Sequence, residues 1–164
     1  MTAQQYEKIS APFRTESRIK ALRFMNKALT ALGYTLYPLM VAYLYFTDRP
    51  EWICTVMVPG VGFILLSEIR RKINRPRPYE TLDIQPIINK KTKGESMPSR
   101  HVFSMTIIAV TAFVVSPVIG WVLIICSILL AAIRAVTGVH YPSDVAVGFL
   151  SAVVWGAVWY GILI

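Results

Sequence analysis

What most constrains this chain is where it carries no charge. Ala28 to Phe46 and Trp52 to Ser67 contain no Asp, Glu, Lys or Arg, and neither do Val102 to Val115, Val118 to Ile133 and Val145 to Ile164. A membrane helix needs roughly 20 predominantly apolar residues, and about 17 at the least. A single run of this kind also reads as a buried core helix, but five in series within 164 residues leave too little polar sequence to wrap them in water. With 55% hydrophobic residues and a net charge of +8, the chain suits a membrane protein with basic rims. The expected fold is all-α, a multi-span helical membrane bundle of about five transmembrane helices forming one domain over residues 1–164. The third run is the shortest and borrows polar flanks such as Ser104. Pro38 and Pro59 fall inside the first two runs, where a kink or local shortening is expected.

Ahead of the first run, Glu7 to Lys27 interleaves Lys8, Arg14, Arg18, Lys20, Arg23 and Lys27 with Phe13, Ile19, Leu22 and Phe24. Residues 1–27 therefore read as a basic interfacial segment, an amphipathic helix on the membrane surface, with a disordered basic tail as the alternative. No apolar stretch before Ala28 resembles the core of a secretory signal. Cys54 and Cys126 sit inside apolar runs as small hydrophobes. The only histidines are His101 and His140, and no Cys/His cluster has zinc spacing. One long polar interval, residues 70–101, begins with "RRKINRPRPYE" and ends with "KKTKGESMPSRH". An interval of that length inside a compact domain is usually functional or disordered, and its basic ends call for an anionic partner.

Alternating spans put three polar segments on one membrane face: the interval after Arg70, the turn between Arg134 and Asp144, and the N-terminal segment. Arg70, Arg77, Ser99, Arg100, His101, Arg134, His140 and Asp144 can thus converge from distant parts of the chain. Guanidinium groups make charge-assisted, bidentate bonds to phosphate oxygens. Two histidines and an aspartate add a nucleophile, a proton donor for the leaving group and a carboxylate to orient an imidazole. Asp144 and Ser143, in "YPSD" ahead of an apolar run, also read as helix caps. Arg71, Lys72, Arg75, Lys90, Lys91 and Lys93 read as a solvated or headgroup-binding face.

These residues resemble those of the type 2 phosphatidic acid phosphatase, or lipid phosphate phosphatase, superfamily, whose motifs have the forms K-x6-R-P, P-S-G-H and S-R-x5-H-x3-D. The chain has Arg70-x6-Arg77-Pro78, Pro98-Ser99-Arg100-His101 and Arg134-x5-His140-x3-Asp144, in family order and at the matching helix ends, within Glu68 to Gly148. The resemblance implies a phosphatase without metal or cofactor. His140 would be the nucleophile that forms a phosphohistidine, Asp144 would hold its imidazole, and His101 would protonate the departing oxygen. Arg70, Arg77 and Arg134 would clamp the phosphate, with Ser99 and the backbone N–H after it donating. The chain departs from the pattern at Arg70 (family Lys), Arg100 (family Gly) and Ile133 (family Ser), and it lacks the sixth span common in the family.

The expected substrate is a membrane lipid phosphate or diphosphate: phosphatidic acid, phosphatidylglycerophosphate or a polyprenyl diphosphate. Anionic membrane lipids are expected partners and nucleic acid is not; nothing in the sequence sets an oligomeric state. A non-catalytic transporter or scaffold for anionic headgroups would also explain the charge, though not two histidines with an aspartate. The vanadate haloperoxidases share the family's site, but as larger, soluble proteins. Of the 17 Lys and Arg residues, all but Arg49 fall on the face of the three motifs. By the positive-inside bias the site is expected on the cytoplasmic face of the cell membrane.

Overall fold

The computed structural model describes residues 1–88 and 92–164, and among them every regular element is helical. In chain order these are α1 (Ala3–Ser10), a 3-10 turn (Ala11–Phe13), α2 (Glu16–Phe46), α3 (Trp52–Ile73), α4 (Pro78–Thr81), α5 (Arg100–Ala112), α6 (Pro117–Val136) and α7 (Pro142–Leu163). α2, α3, α6 and α7 are long and apolar enough to cross a bilayer. Their outer faces leave Phe46, Ile64, Trp121, Ile125, Val154 and Ile162 exposed, as lipid contact requires. The chain is a multi-pass membrane bundle.

Sequence chemistry sets most of the boundaries. Proline opens α4, α6 and α7, where its missing N–H costs no helical bond. α3 stops at Asn74, which takes the left-handed conformation (φ 42°) that asparagine tolerates better than most residues. The basic N-terminal segment is not one helix. Pro12 lies in the 3-10 turn and Thr15 is extended, so the chain breaks there and α2 begins at Glu16. Arg18, Lys20, Arg23 and Lys27 then occupy the first turns of α2, which at 31 residues is about 46 Å long and overshoots a hydrocarbon core of about 30 Å.

Both internal prolines are accommodated within continuous helices. Pro59 cannot donate to the carbonyl of Thr55, and the Tyr37 hydroxyl of α2 donates to that oxygen instead at 2.9 Å.

The third run becomes α5, only 13 residues or about 20 Å long. Nearly every side chain on it is buried, from Val102 and Phe103 to Thr111 and Ala112. It is the central helix, enclosed by α2, α3, α6 and α7. Met105, Ile108 and Ala109 pack with Met40 of α2 and Leu123 and Leu130 of α6. Phe103 and Ile107 pack with Val58 and Leu66 of α3 and Ala152 of α7. Thr106 bonds to Ser127 of α6, and Thr111 to Tyr160 of α7.

Candidate active site

At one end of the bundle the last turn of α3, the first turns of α5 and α7 and the last turn of α6 meet. α3 delivers Arg70, and the left-handed Asn74 turns the chain so that Arg75 and Arg77 run back over the bundle end. Ser96 N–H donates to the Arg75 carbonyl at 2.8 Å, tying the two ends of the polar interval together. Ser99 precedes α5, and its N–H donates to the Asp144 carbonyl at 3.0 Å. That approach depends on Gly148, because a Cβ there would lie 2.8 Å from the Ser99 carbonyl oxygen. His140 lies in the short turn between α6 and α7, shaped by Gly138 at φ +76°. Tyr6 of α1 is fully buried against that glycine, so the N-terminal helix packs onto the turn that carries His140.

The guanidinium groups of Arg70, Arg77 and Arg134 are at most 5% exposed. Arg70 donates to the Pro98 carbonyl at 3.0 Å and lies 3.4 Å from Glu95. Arg77 donates to the carbonyls of Gly94 and Val139 at 3.1 and 3.2 Å. Arg134 reaches Asn26 Oδ1 of α2 at 3.4 Å, and its Nη2 lies 3.4 Å from both His101 Nδ1 and His140 Nε2. The buried Arg134 Nε and Ser99 Oγ have no hydrogen-bond partner. Glu95, the one carboxylate within reach of these three cations among the described residues, is 41% exposed. Buried charge left in this state is costly, and buried unpaired donors add to the cost. The cluster therefore has the charge and the free donors that suit an anion rich in oxygen acceptors.

Asp144 is fully buried in the first turn of α7. Its Oδ2 accepts from Tyr141 N–H at 2.9 Å and from the Ser96 hydroxyl, and faces His140 Nδ1 at 3.7 Å. Its Oδ1 accepts from Arg75 at 2.7 Å. The cap of α7 is Tyr141, not Asp144 or Ser143 as their positions suggested; Asp144 stands at the third helical position and accepts the Tyr141 N–H on the same oxygen that faces the histidine.

Burial pushes the His140 imidazole down from its ordinary 6.5 to about 4; Asp144 opposes the shift, and the charges of Arg134 and Arg77 add to it. His140 is therefore neutral at ordinary pH. Because a guanidinium only donates, His140 Nε2 must be the lone-pair nitrogen, leaving the proton on Nδ1 toward Asp144. The two imidazoles thus stand on either side of one arginine.

The structure brings together Arg70, Arg77, Ser99, His101, Arg134, His140 and Asp144. Arg100 differs: its side chain is exposed on the first turn of α5, near Arg70. Three neighbours escaped sequence reasoning. Ser96 and Asn26 carry no periodic or motif signal, and Arg75 was hidden in a run of cations that read as a solvated face. Of that run, Lys90 and Lys91 lie outside the described residues.

Residues 52–163 match the PAP2 superfamily. The chain is 29% identical over 119 residues to an undecaprenyl-diphosphatase of Sulfolobus acidocaldarius, covering 71% of this chain and 58% of that one. It is 28% identical over 159 residues to the bacitracin transport permease protein BcrC of Bacillus licheniformis, covering 85% and 77%. In fold it resembles LpxE of Aquifex aeolicus, with a TM-score of 0.75 at 22% identity over 98% of this chain and 94% of that one. It also resembles a transmembrane PAP2-type phosphatidylglycerolphosphate phosphatase of Bacillus subtilis, with a TM-score of 0.68 at 19% identity over 97% and 92%.

Proposed function

Since the chain belongs to the PAP2 superfamily, we propose that it is a metal-independent phosphatase of a membrane lipid phosphate or diphosphate, acting through a phosphohistidine on His140. The observation that carries this reading is the cluster of three buried guanidiniums around a neutral, buried imidazole, with Arg134 Nε and Ser99 Oγ still to be satisfied. A phosphoryl group supplies the missing charge and acceptors.

In the proposed reaction the His140 Nε2 lone pair attacks the terminal phosphorus. The bond from that phosphorus to the leaving oxygen breaks, and His101, acting as an imidazolium, gives a proton to the departing lipid and is left as the neutral imidazole. The phosphorylated imidazole is cationic, and Asp144 stabilises it across Nδ1–H. Water then attacks the phosphorus, losing its proton to His101; the N–P bond breaks and inorganic phosphate leaves. Arg70, Arg77 and Arg134 neutralise the charge that spreads over the equatorial oxygens in each transfer.

The lipid tail is assigned to a groove of about 260 Å³ between α2, α3 and α5, walled by Tyr34, Tyr37, Gly60, Phe63 and Ile108. A smaller opening beside His101 shares Tyr34, Ser104 and Ile108 with it, so the groove leads toward the site. The undecaprenyl-diphosphatase relative makes a polyprenyl diphosphate the first substrate to assay, with phosphatidic acid and phosphatidylglycerophosphate beside it. We also infer a cytoplasmic-facing site from the distribution of Lys and Arg.

The test is phosphate release by the detergent-purified protein in EDTA with no added metal. Turnover in the chelator is expected. Turnover that EDTA abolishes and magnesium restores overturns the reading, as does tight binding of the lipid without hydrolysis.

A further inference from the structure

Asp144 divides its two oxygens between two cationic neighbours. Oδ2 faces His140, whereas Oδ1 takes Arg75 Nη1 at 2.7 Å, the shorter contact by a full ångström. The same Nη1 reaches Ser143 Oγ at 2.8 Å, and the guanidinium carbon stands 4.2 Å over the Tyr141 ring. Arg75 is thus held by three of the four residues that follow the nucleophile: Tyr141 by stacking, Ser143 and Asp144 by hydrogen bonds. Its side chain is 32% exposed and lines a cleft beside α1 with Gln5 and Lys8, on the opposite side of Asp144 from His140. It is set apart from Arg70, Arg77 and Arg134, which are buried together.

We propose that Arg75 is a positioning residue for the phosphoryl transfer, fixing the Asp144 carboxylate and through it the protonation and orientation of His140, without touching the substrate phosphate. The physical need is clear from the burial. A fully buried carboxylate beside an imidazole pulls a proton onto that imidazole unless another cation balances it. A protonated His140 has no lone pair to attack with. Arg75 supplies the balancing charge from the far oxygen, leaving Oδ2 to orient Nδ1–H and to receive the positive charge that appears once Nε2 is phosphorylated. Arg is suited to this because its planar guanidinium stacks on Tyr141 while a single nitrogen, Nη1, serves both Ser143 and Asp144.

The inference rests on the proposed phosphatase reading, and one set of variants separates the two. Wild type, Arg75→Gln and Arg75→Lys are compared in detergent for kcat, KM and the acid limb of the pH profile, with thermal unfolding to confirm folding. The Gln variant is expected to lose roughly 10- to 100-fold in kcat with KM changed by less than about twofold. Its acid limb moves to higher pH, and Lys recovers part of both effects. The other charged groups facing His140, namely Arg134 from α6, Arg77 and Asp144, are the same in all three proteins, so a shift is attributable to Arg75. A rise in KM with kcat retained would instead put Arg75 in the phosphate clamp. A loss of kcat with an unmoved acid limb would make its role structural only.

Independently of turnover, nitrogen NMR of labelled histidine follows the His140 titration directly, with His101→Gln assigning the two signals. If Arg75→Gln leaves that midpoint in place the inference fails, even in a protein that hydrolyses no lipid. If wild type hydrolyses none but the midpoint rises, the functional reading fails and the coupling stands.

Discussion

Arg134 Nη2 lies 3.4 Å from one nitrogen of each histidine, and the proposed reaction gives these two chemically identical side chains unlike roles. The consequence is measurable because the two roles respond differently to the leaving group. His140→Ala removes the attacking atom and is expected to abolish turnover on every substrate. His101→Ala removes only a proton donor, worth about 10²- to 10⁴-fold when the departing oxygen is a poor leaving group. A lipid monophosphate should therefore suffer far more than a diphosphate, whose departing oxygen already carries its charge well. Equal losses on both substrates would remove the acid role from His101. The polar residues of this site were legible where they stand at helix ends in fixed spacing, as His140 and Asp144 do. Ser96 was not, since it reaches Asp144 from an irregular segment where spacing carries no information. Asn26 was not either, because its contact with Arg134 spans 108 positions and depends on how α2 lies against α6.

Among the helices, charge-free runs located all the membrane segments, because avoidance of charge is the one requirement every bilayer-facing helix shares. They could not tell that α5 is enclosed by protein while its neighbours face lipid, since both environments demand apolar residues. Nor could they show that the basic half of the N-terminal segment extends α2, because Pro12 sets that boundary and the amphipathic pattern runs across it. The packing of α2 and α3 on α5 also leaves the apolar groove, which no periodicity announces. Gly60 lies on its wall, and a Cβ built there meets nothing within 4 Å. Gly60→Phe therefore meets no obstacle at its Cβ and should project its ring into the groove. KM for a long-chain lipid phosphate is expected to rise about tenfold or more while a short-chain aryl phosphate is unaffected. An equal effect on both substrates would mean that the tail lies elsewhere.

For the whole molecule the open question is which way it faces. Among the described residues, only Arg49 of the Lys and Arg belongs to the end away from the site. Single cysteines at Thr2 and at Thr92, in a Cys54→Ala, Cys126→Ala background, report the site face to a membrane-impermeant thiol reagent. Protection of both in intact cells, and labelling after lysis, is expected. Labelling of both without lysis would turn the site outward and make a lipid exposed on the outer leaflet the substrate. The burial of α5 bears on how such a molecule is made. A segment of 13 residues is too short to settle in a bilayer as an independent span, so it is secured only once the helices that enclose it are in place, including α6 and α7, which are synthesised later. Ser99 and His101 stand at its start, and Arg134, His140 and Asp144 belong to those later helices and the turn between them. Biogenesis therefore withholds competence until the last helix is in place: a nascent or misassembled chain can be tethered to the membrane by its early spans and still be harmless to the lipid phosphates around it.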